Sequence, residues 1–266
     1  MPKCRITAIS NQKGGVGKTS TAINLGYALA KIGERVLICD IDPQGNCSTG
    51  FGIENADELL LSMHDLLEMV MQGEALPDAD SYIQKGNKPG ITLDIIPSNI
   101  NLAATEINLR DEMGGEHTLR ELLEPLRERY SHILLDTSPY LGLLTINALA
   151  AANDVIIPVS PQLWSATGLT DLLQTIAKVK RKINPEITIS GILLTMCDYR
   201  TRLFKEAKAL LEETYGGQIR IFKTHIPNTT KVGEANYVSL SVGEHDPAGK
   251  AAIAYSDFAK EVLFDE

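Results

Sequence analysis

A glycine-rich run, Lys13-Gly14-Gly15-Val16-Gly17-Lys18-Thr19, closes on a lysine and a threonine. Gly14, Gly15 and Gly17 let the backbone curl so that its N–H groups turn inward, a conformation side chains would obstruct. Such a concavity receives an anion, and a helix starting near Lys18 adds its partial positive charge. Lys18 is then placed to reach the β- and γ-phosphates of a nucleoside triphosphate, and the Thr19 hydroxyl to ligate Mg²⁺. A chance glycine turn followed by Lys-Thr is the competing reading. It does not account for a strand ending near Ser10 and a helix following at once.

Carboxylates stand at matching places. Residues 36–40 run into Asp40-Ile41-Asp42-Pro43, and Ile133-Leu134-Leu135 runs into Asp136. A carboxylate at the C-terminal end of a parallel strand beside the loop's own strand faces the nucleotide crevice. Asp136 would hold Mg²⁺ through a water molecule. Three apolar residues and an aspartate recur in many sheets, and Asp42 could also cap a turn before proline. The phosphate loop gives both aspartates their weight.

Apolar runs and helical spacings alternate along the chain, as positioning these groups requires. Strands are expected at 6–10, 36–40, 93–97, 133–136, 155–159, 187–194 and 219–222. Helices are expected at 19–32, with Gly33 as its stop, and at 62–71, 101–109, 117–129, 143–152, 165–183, 203–214 and 250–263. Strands apolar throughout and separated by helices imply a mostly parallel sheet covered on both faces. The stretch 72–92, with Gly73, Pro77, Gly86, Pro89 and Gly90, reads as a surface loop. The expected fold is α/β, one domain over residues 1–266.

Composition narrows the classes. Of 266 residues, 44% are hydrophobic and 22% charged, which is ordinary globular usage, so disorder is not expected. The four cysteines have no metal-site spacing, and Cys4 and Cys39 sit in apolar runs as buried thiols. This suits a reducing cytoplasm. No apolar stretch reaches the roughly 18 residues that span a bilayer. The net charge of −9 argues against uniform positive potential but not against a local basic patch.

The loop departs from the general G-x-x-x-x-G-K-[ST] pattern, with Gln12 in place of glycine and an extra lysine, Lys13. Asn11-Gln12-Lys13-Gly14-Gly15-Val16-Gly17-Lys18-Thr19 resembles the deviant Walker A ATPases, specifically the ParA/Soj partition branch. The resemblance continues through Leu141–Leu149, residues 191–198 and residues 226–235, and covers about 4–263. It implies a P-loop NTPase fold that hydrolyses ATP with Mg²⁺. Val16 and Ser20 join the loop glycines, Lys18 and Thr19 around the nucleotide, while Met196, Pro227 and Asn228 border the adenine. Lys13 is expected to reach the partner's phosphates in an ATP-dependent homodimer, as an arginine finger does. Asp42 is expected to orient the attacking water and to join Thr19 and Asp136 near Mg²⁺, with Asp40 in the metal's shell or structural.

The same resemblance implies non-specific binding of double-stranded DNA through Arg200 and Lys231, and a ParB-like stimulating partner. The basic run Lys178–Lys182 reads rather as cations complementing a helix C-terminus. Three positions depart from the family: Ser138 replaces a proline, Lys231 an arginine, and Asn228 stands where relatives often have arginine. The first strand begins almost at once, so a helix-turn-helix extension and sequence-specific DNA binding are not expected. A MinD-like membrane-positioning ATPase would need a basic amphipathic tail, and this one ends Asp265-Glu266. An iron-protein-like cluster carrier lacks suitable cysteines between Cys47 and Cys197. A metabolic P-loop ligase is expected to share less of the chain.

Overall fold

A computed structural model describes residues 4–86, 90–162 and 166–264, without the side chains of 166 and 167. Pro89, the expected helix start at 165 and the acidic pair Asp265-Glu266 lie outside the described residues. The strands are β1 (Arg5–Ile9), β2 (Arg35–Ile41), β3 (Gln84–Lys85), β4 (Thr92–Ile96), β5 (His132–Thr137), β6 (Asp154–Val159) and β7 (Thr188–Leu194). They form one sheet in the order β3-β4-β2-β5-β1-β6-β7. All neighbours pair in parallel except the short edge strand β3, which runs antiparallel to β4.

The described helices are α1 (Lys18–Lys31), α2 (Asn46–Phe51), α3 (Met63–Met71), α4 (Leu102–Asp111), α5 (Thr118–Leu123), α6 (Leu143–Ala151), α7 (Ala166–Lys182), α8 (Arg202–Tyr215), α9 (Thr230–Tyr237), α10 (Val242–His245) and α11 (Lys250–Phe264). Successive strand side chains point to opposite faces, so each strand feeds two cores. Leu37, Cys39 and Ile41 of β2 join Leu66, Leu119 and Leu172, under α3–α8. Val36 and Ile38 join Leu25, Leu29 and Phe258, under α1 and α11. Burial on both faces is why these strands are apolar throughout.

Several expectations change. Residues 219–222 make no strand: Ile221 forms an isolated bridge to Ile192, and the next amides, of Lys223 and Thr224, donate to the Glu261 carboxylate instead of a ladder. The helix expected over 117–129 becomes a 3-10 turn at Glu124–Glu128, where Pro125 has no N–H to donate. The stretch 72–92 is not wholly a surface loop, since it carries β3 and buries Tyr82 and Ile83 in the core. The short helices α2, α9 and α10 were not expected.

Candidate nucleotide site

The parallel strands all end on one side, and the candidate groups gather there. Asp136 pairs in register with Asp40 of β2 on one side and Ile9 of β1 on the other. The glycine run leaves β1 and enters α1, with Gly15 at φ 72° and Gly17 at φ 86°, a left-handed backbone that favours glycine. A Cβ built on Gly14 would project into open space. Val16 is buried, and its carbonyl accepts a 2.7 Å hydrogen bond from the Thr195 hydroxyl, which ties the loop to the end of β7.

Lys18 is buried, and its ammonium donates to the Lys13 carbonyl at 3.2 Å. Burial lowers its pKa, while the Asp136 and Asp42 carboxylates work to raise it. Thr19 Oγ1 donates to Asp136 Oδ2 at 2.8 Å. The other oxygen, Asp136 Oδ1, is sealed from solvent and has no partner among the described residues. Burial, and then the neighbouring Asp40, push the Asp136 carboxyl well above the usual range, against the Thr19 hydrogen bond and Lys18. An orphaned buried carboxylate oxygen beside a loop hydroxyl fits a divalent cation, which takes hard oxygen ligands and restores the charge balance. A left-handed glycine turn, a buried lysine and this oxygen pair therefore fit a Mg²⁺–triphosphate.

Asp40 is structural. Its Oδ2 accepts from Ser48 N at 2.8 Å and Ser48 Oγ at 2.7 Å, and its Oδ1 from Asp42 N at 3.1 Å. Ser48 Oγ in turn accepts from Ser98 N at 2.9 Å, joining α2 to the segment after β4. Asp42 is half-buried and does cap a turn, with Oδ1 accepting from Gln44 N at 3.0 Å. It also lines a cleft of about 700 Å³ with Gly14, Gly15, Gly17, Lys18, Thr19 and Ser20. After β5, Ser138 Oγ accepts from Tyr140 N at 3.2 Å, and Thr145 Oγ1 donates to the Tyr140 carbonyl at 2.6 Å. Hydroxyls thus close the turn that holds Pro139 against the cleft.

A second cavity of about 190 Å³ adjoins the first and is lined by Met196, Pro227 and Asn228. Cys197 N donates to the Ile226 carbonyl at 2.9 Å and Asn228 N to the Cys197 carbonyl at 3.0 Å, so the two segments lie side by side. Met196 takes a positive φ of 53° at this junction. Glu261 of α11 anchors the approach, accepting from Lys223 N at 2.7 Å and Thr224 N at 2.9 Å. Burial alone would raise its pKa, but these backbone donors outweigh that and hold it below the usual value.

The remaining candidates lie outside the cleft wall. The Lys13 side chain is exposed and has no carboxylate partner among the described residues. Arg200 is exposed and bonds Asp198 at 3.2 Å. Lys231 bonds Glu234 at 2.7 Å.

Comparison with known proteins supplies the family. A family model described as an AAA domain matches residues 4–189. The sporulation initiation inhibitor protein Soj of Bacillus subtilis is 40% identical, covering 97% of this chain and 98% of its own. The chromosome partitioning protein ParA of Caulobacter vibrioides is also 40% identical, covering 98% and 95%. The chain belongs to the ParA/Soj family of partition ATPases.

A solved structure of cobyrinic acid a,c-diamide synthase from Mycobacterium smegmatis, with bound ADP and magnesium, superposes on this ATPase with a TM-score of 0.82. It is 32% identical and covers 98% of this chain and 94% of its own. This metabolic synthase shares as much of the chain's length as the partition relatives do, at lower identity, so the expectation that a metabolic relative would share less of the chain does not hold for it. ATP and Mg²⁺ are the ligands of this ATPase. Sequence reasoning missed Ser48, Glu261 and Asn236 as parts of the site, because each acts through a contact 8 or more positions away in the chain or across two cavities.

Proposed function

We propose that this partition ATPase, acting as one domain over residues 1–266, pairs with a second copy when it binds ATP. In that state it would hold double-stranded DNA without sequence preference, sit on the nucleoid, and have its hydrolysis stimulated by a ParB-like partner. The observation that carries the dimer is Lys13: a cation in the phosphate loop that is exposed and, among the described residues, without a carboxylate partner, available to a triphosphate in a facing copy. Within one copy, the loop N–H groups and Lys18 would bind the phosphates, and Thr19 and Asp136 would hold Mg²⁺, Asp136 through water, where its charge would offset that gathering on the phosphates. Asp42, at the cleft wall with one oxygen fixed by Gln44, orients the attacking water. Met196, Pro227 and Asn228 border the adenine.

The Asp42→Ala variant tests this assignment. It should still bind ATP and accumulate as a dimer, while turnover falls by at least about 10²-fold, the lower end of what a positioned acid–base group contributes. Size-exclusion chromatography with ATP and a phosphate-release assay read the two quantities. Parental turnover, or a variant that stays monomeric while the parent dimerises, would sink the proposal. A second reading, a protein or membrane cargo served by a MinD-like positioning ATPase, is favoured by one observation: Arg200 and Lys231 are each matched by a carboxylate.

A further inference from the structure

Among the described residues, the side-chain oxygen of Asn236 has no hydrogen-bond partner. Asn236 lies in the last turn of α9 and is half-buried, and its Oδ1 is sealed from solvent with no hydrogen bond. Native proteins seldom keep such an atom unsatisfied without a ligand or water to meet it. Its position is specific. Gly17, Ser20, Met196, Gly233 and Asn236 line both the phosphate cleft and the smaller cavity beside it, so they form the wall the two share. Gly233 lies one turn earlier on the same face of α9, and a Cβ there would meet nothing within 4 Å, so the wall beside Asn236 is free of side-chain bulk at that position.

A nucleotide with its phosphates at residues 14–19 and its base against Met196, Pro227 and Asn228 carries its sugar across that shared wall. We propose that Asn236 hydrogen-bonds a ribose hydroxyl of the bound nucleotide, and so gives this ATPase a preference for ribonucleotides over their deoxy counterparts. This rests on the base placement proposed above. Position selects the sugar over the nucleotide's other donor, the adenine amine, because the wall lies between the phosphate cleft and the base cavity. Phosphate oxygens only accept, and a phosphate would repel an amide oxygen. A hydroxyl both donates and accepts, so it satisfies whichever end of the amide faces it. Nothing in a helix-end asparagine announces this role in the sequence.

The test is an equilibrium titration of ATP, 2′-deoxy-ATP and 3′-deoxy-ATP, each with Mg²⁺, against the parent and Asn236→Ala. The parent should bind one of the deoxy nucleotides about 3–10-fold more weakly than ATP, as expected for one neutral hydrogen bond. The variant should lose the same factor on ATP and no longer sense the missing hydroxyl, with its nucleotide-free melting curve unchanged. Equal binding of all three nucleotides by the parent would overturn the proposal whether or not the variant folds. So would a variant that keeps the parental discrimination, or one that loses affinity for all three equally. Lys18→Ala separates the levels: if it keeps full ATP affinity, the cleft itself is misassigned, whereas if it loses binding, a failure at Asn236 concerns the ribose contact alone.

Discussion

Asp40 and Asp136 are register partners on neighbouring parallel strands, both fully buried, and burial raises the pKa of each; the Ser48 and Asp42 donors pull that of Asp40 part of the way back, while the Asp40 charge adds to the rise at Asp136. A carboxyl whose folded pKa lies above its unfolded value binds protons more tightly when folded. Its effect is neutral at low pH and becomes destabilising as pH rises past the ordinary carboxylate range. The nucleotide-free protein therefore carries a charge repulsion at neutral pH that a cation relieves. Asp136→Asn keeps an acceptor for the Thr19 hydroxyl and removes one charge. At pH 7.5 without nucleotide it should melt roughly 2–8 °C above the parent, which is about 1–2 kcal/mol at this chain length. The difference should shrink at pH 5, where the parent's own pair takes up protons. Stabilisation by Mg²⁺ with a non-hydrolysable ATP analogue should be smaller in the variant. Scanning calorimetry at both pH values measures this, and a variant that melts lower at both would contradict it. At this scale the sequence was most legible for Lys18, Thr19 and Asp136, whose types and spacing carry the chemistry directly. It was silent on Ser48, whose two bonds to Asp40 exist only because α2 folds back on β2.

Elements were legible where packing dictates composition. The runs at 36–40, 133–136 and 155–159 fall inside β2, β5 and β6 because strands covered on both faces must be apolar throughout. The segment Ile219-Arg220-Ile221-Phe222 resembles such a run apart from Arg220, yet side-chain capture by Glu261 takes the following amides away from the sheet. Composition does not reveal that competition. The helices α9 and α10 are short, and α9 contains Gly233, so neither shows a sustained apolar period. The Glu261 clamp makes its own prediction. Glu261→Ala strands two backbone donors and loosens the segment leading to residues 226–228. ATP affinity should fall several-fold while turnover at saturating ATP stays near parental, and the chain should lose about 1–3 kcal/mol of stability. Glu261→Gln keeps an acceptor for one of the two amides but turns an N–H₂ toward the other, so it should recover only part of either loss. Titration, steady-state kinetics and melting curves check the three quantities; a fall in turnover with unchanged affinity would place Glu261 elsewhere in the cycle.

Across the whole molecule the decisive quantity is charge. With a net charge of −9 and both candidate DNA contacts already bonded to carboxylates, one copy has little hold on a duplex. Pairing two copies doubles those contacts on one body, and linked contacts raise avidity by about 10²–10⁴-fold where geometry permits. DNA binding should therefore require ATP, ignore sequence and weaken steeply with salt, each neutralised phosphate adding about −0.9 to the log–log slope. Glutamate at both Arg200 and Lys231 should abolish it and leave ATP-driven dimerisation intact. Fluorescence anisotropy with two unrelated duplexes across a salt series is the measurement, and absence of ATP-dependent binding at low salt would favour the protein-cargo reading. The four cysteines, Cys4, Cys39, Cys47 and Cys197, are all buried and unpaired, and burial raises every one of their thiol pKa values. The folded surface consequently presents no native thiolate to a maleimide. Tyr237 is 90% exposed at the mouth of the cleft. A cysteine introduced there would accept a single dye per chain, with no need to strip out the native thiols, and self-quenching between two such dyes could follow pairing in real time.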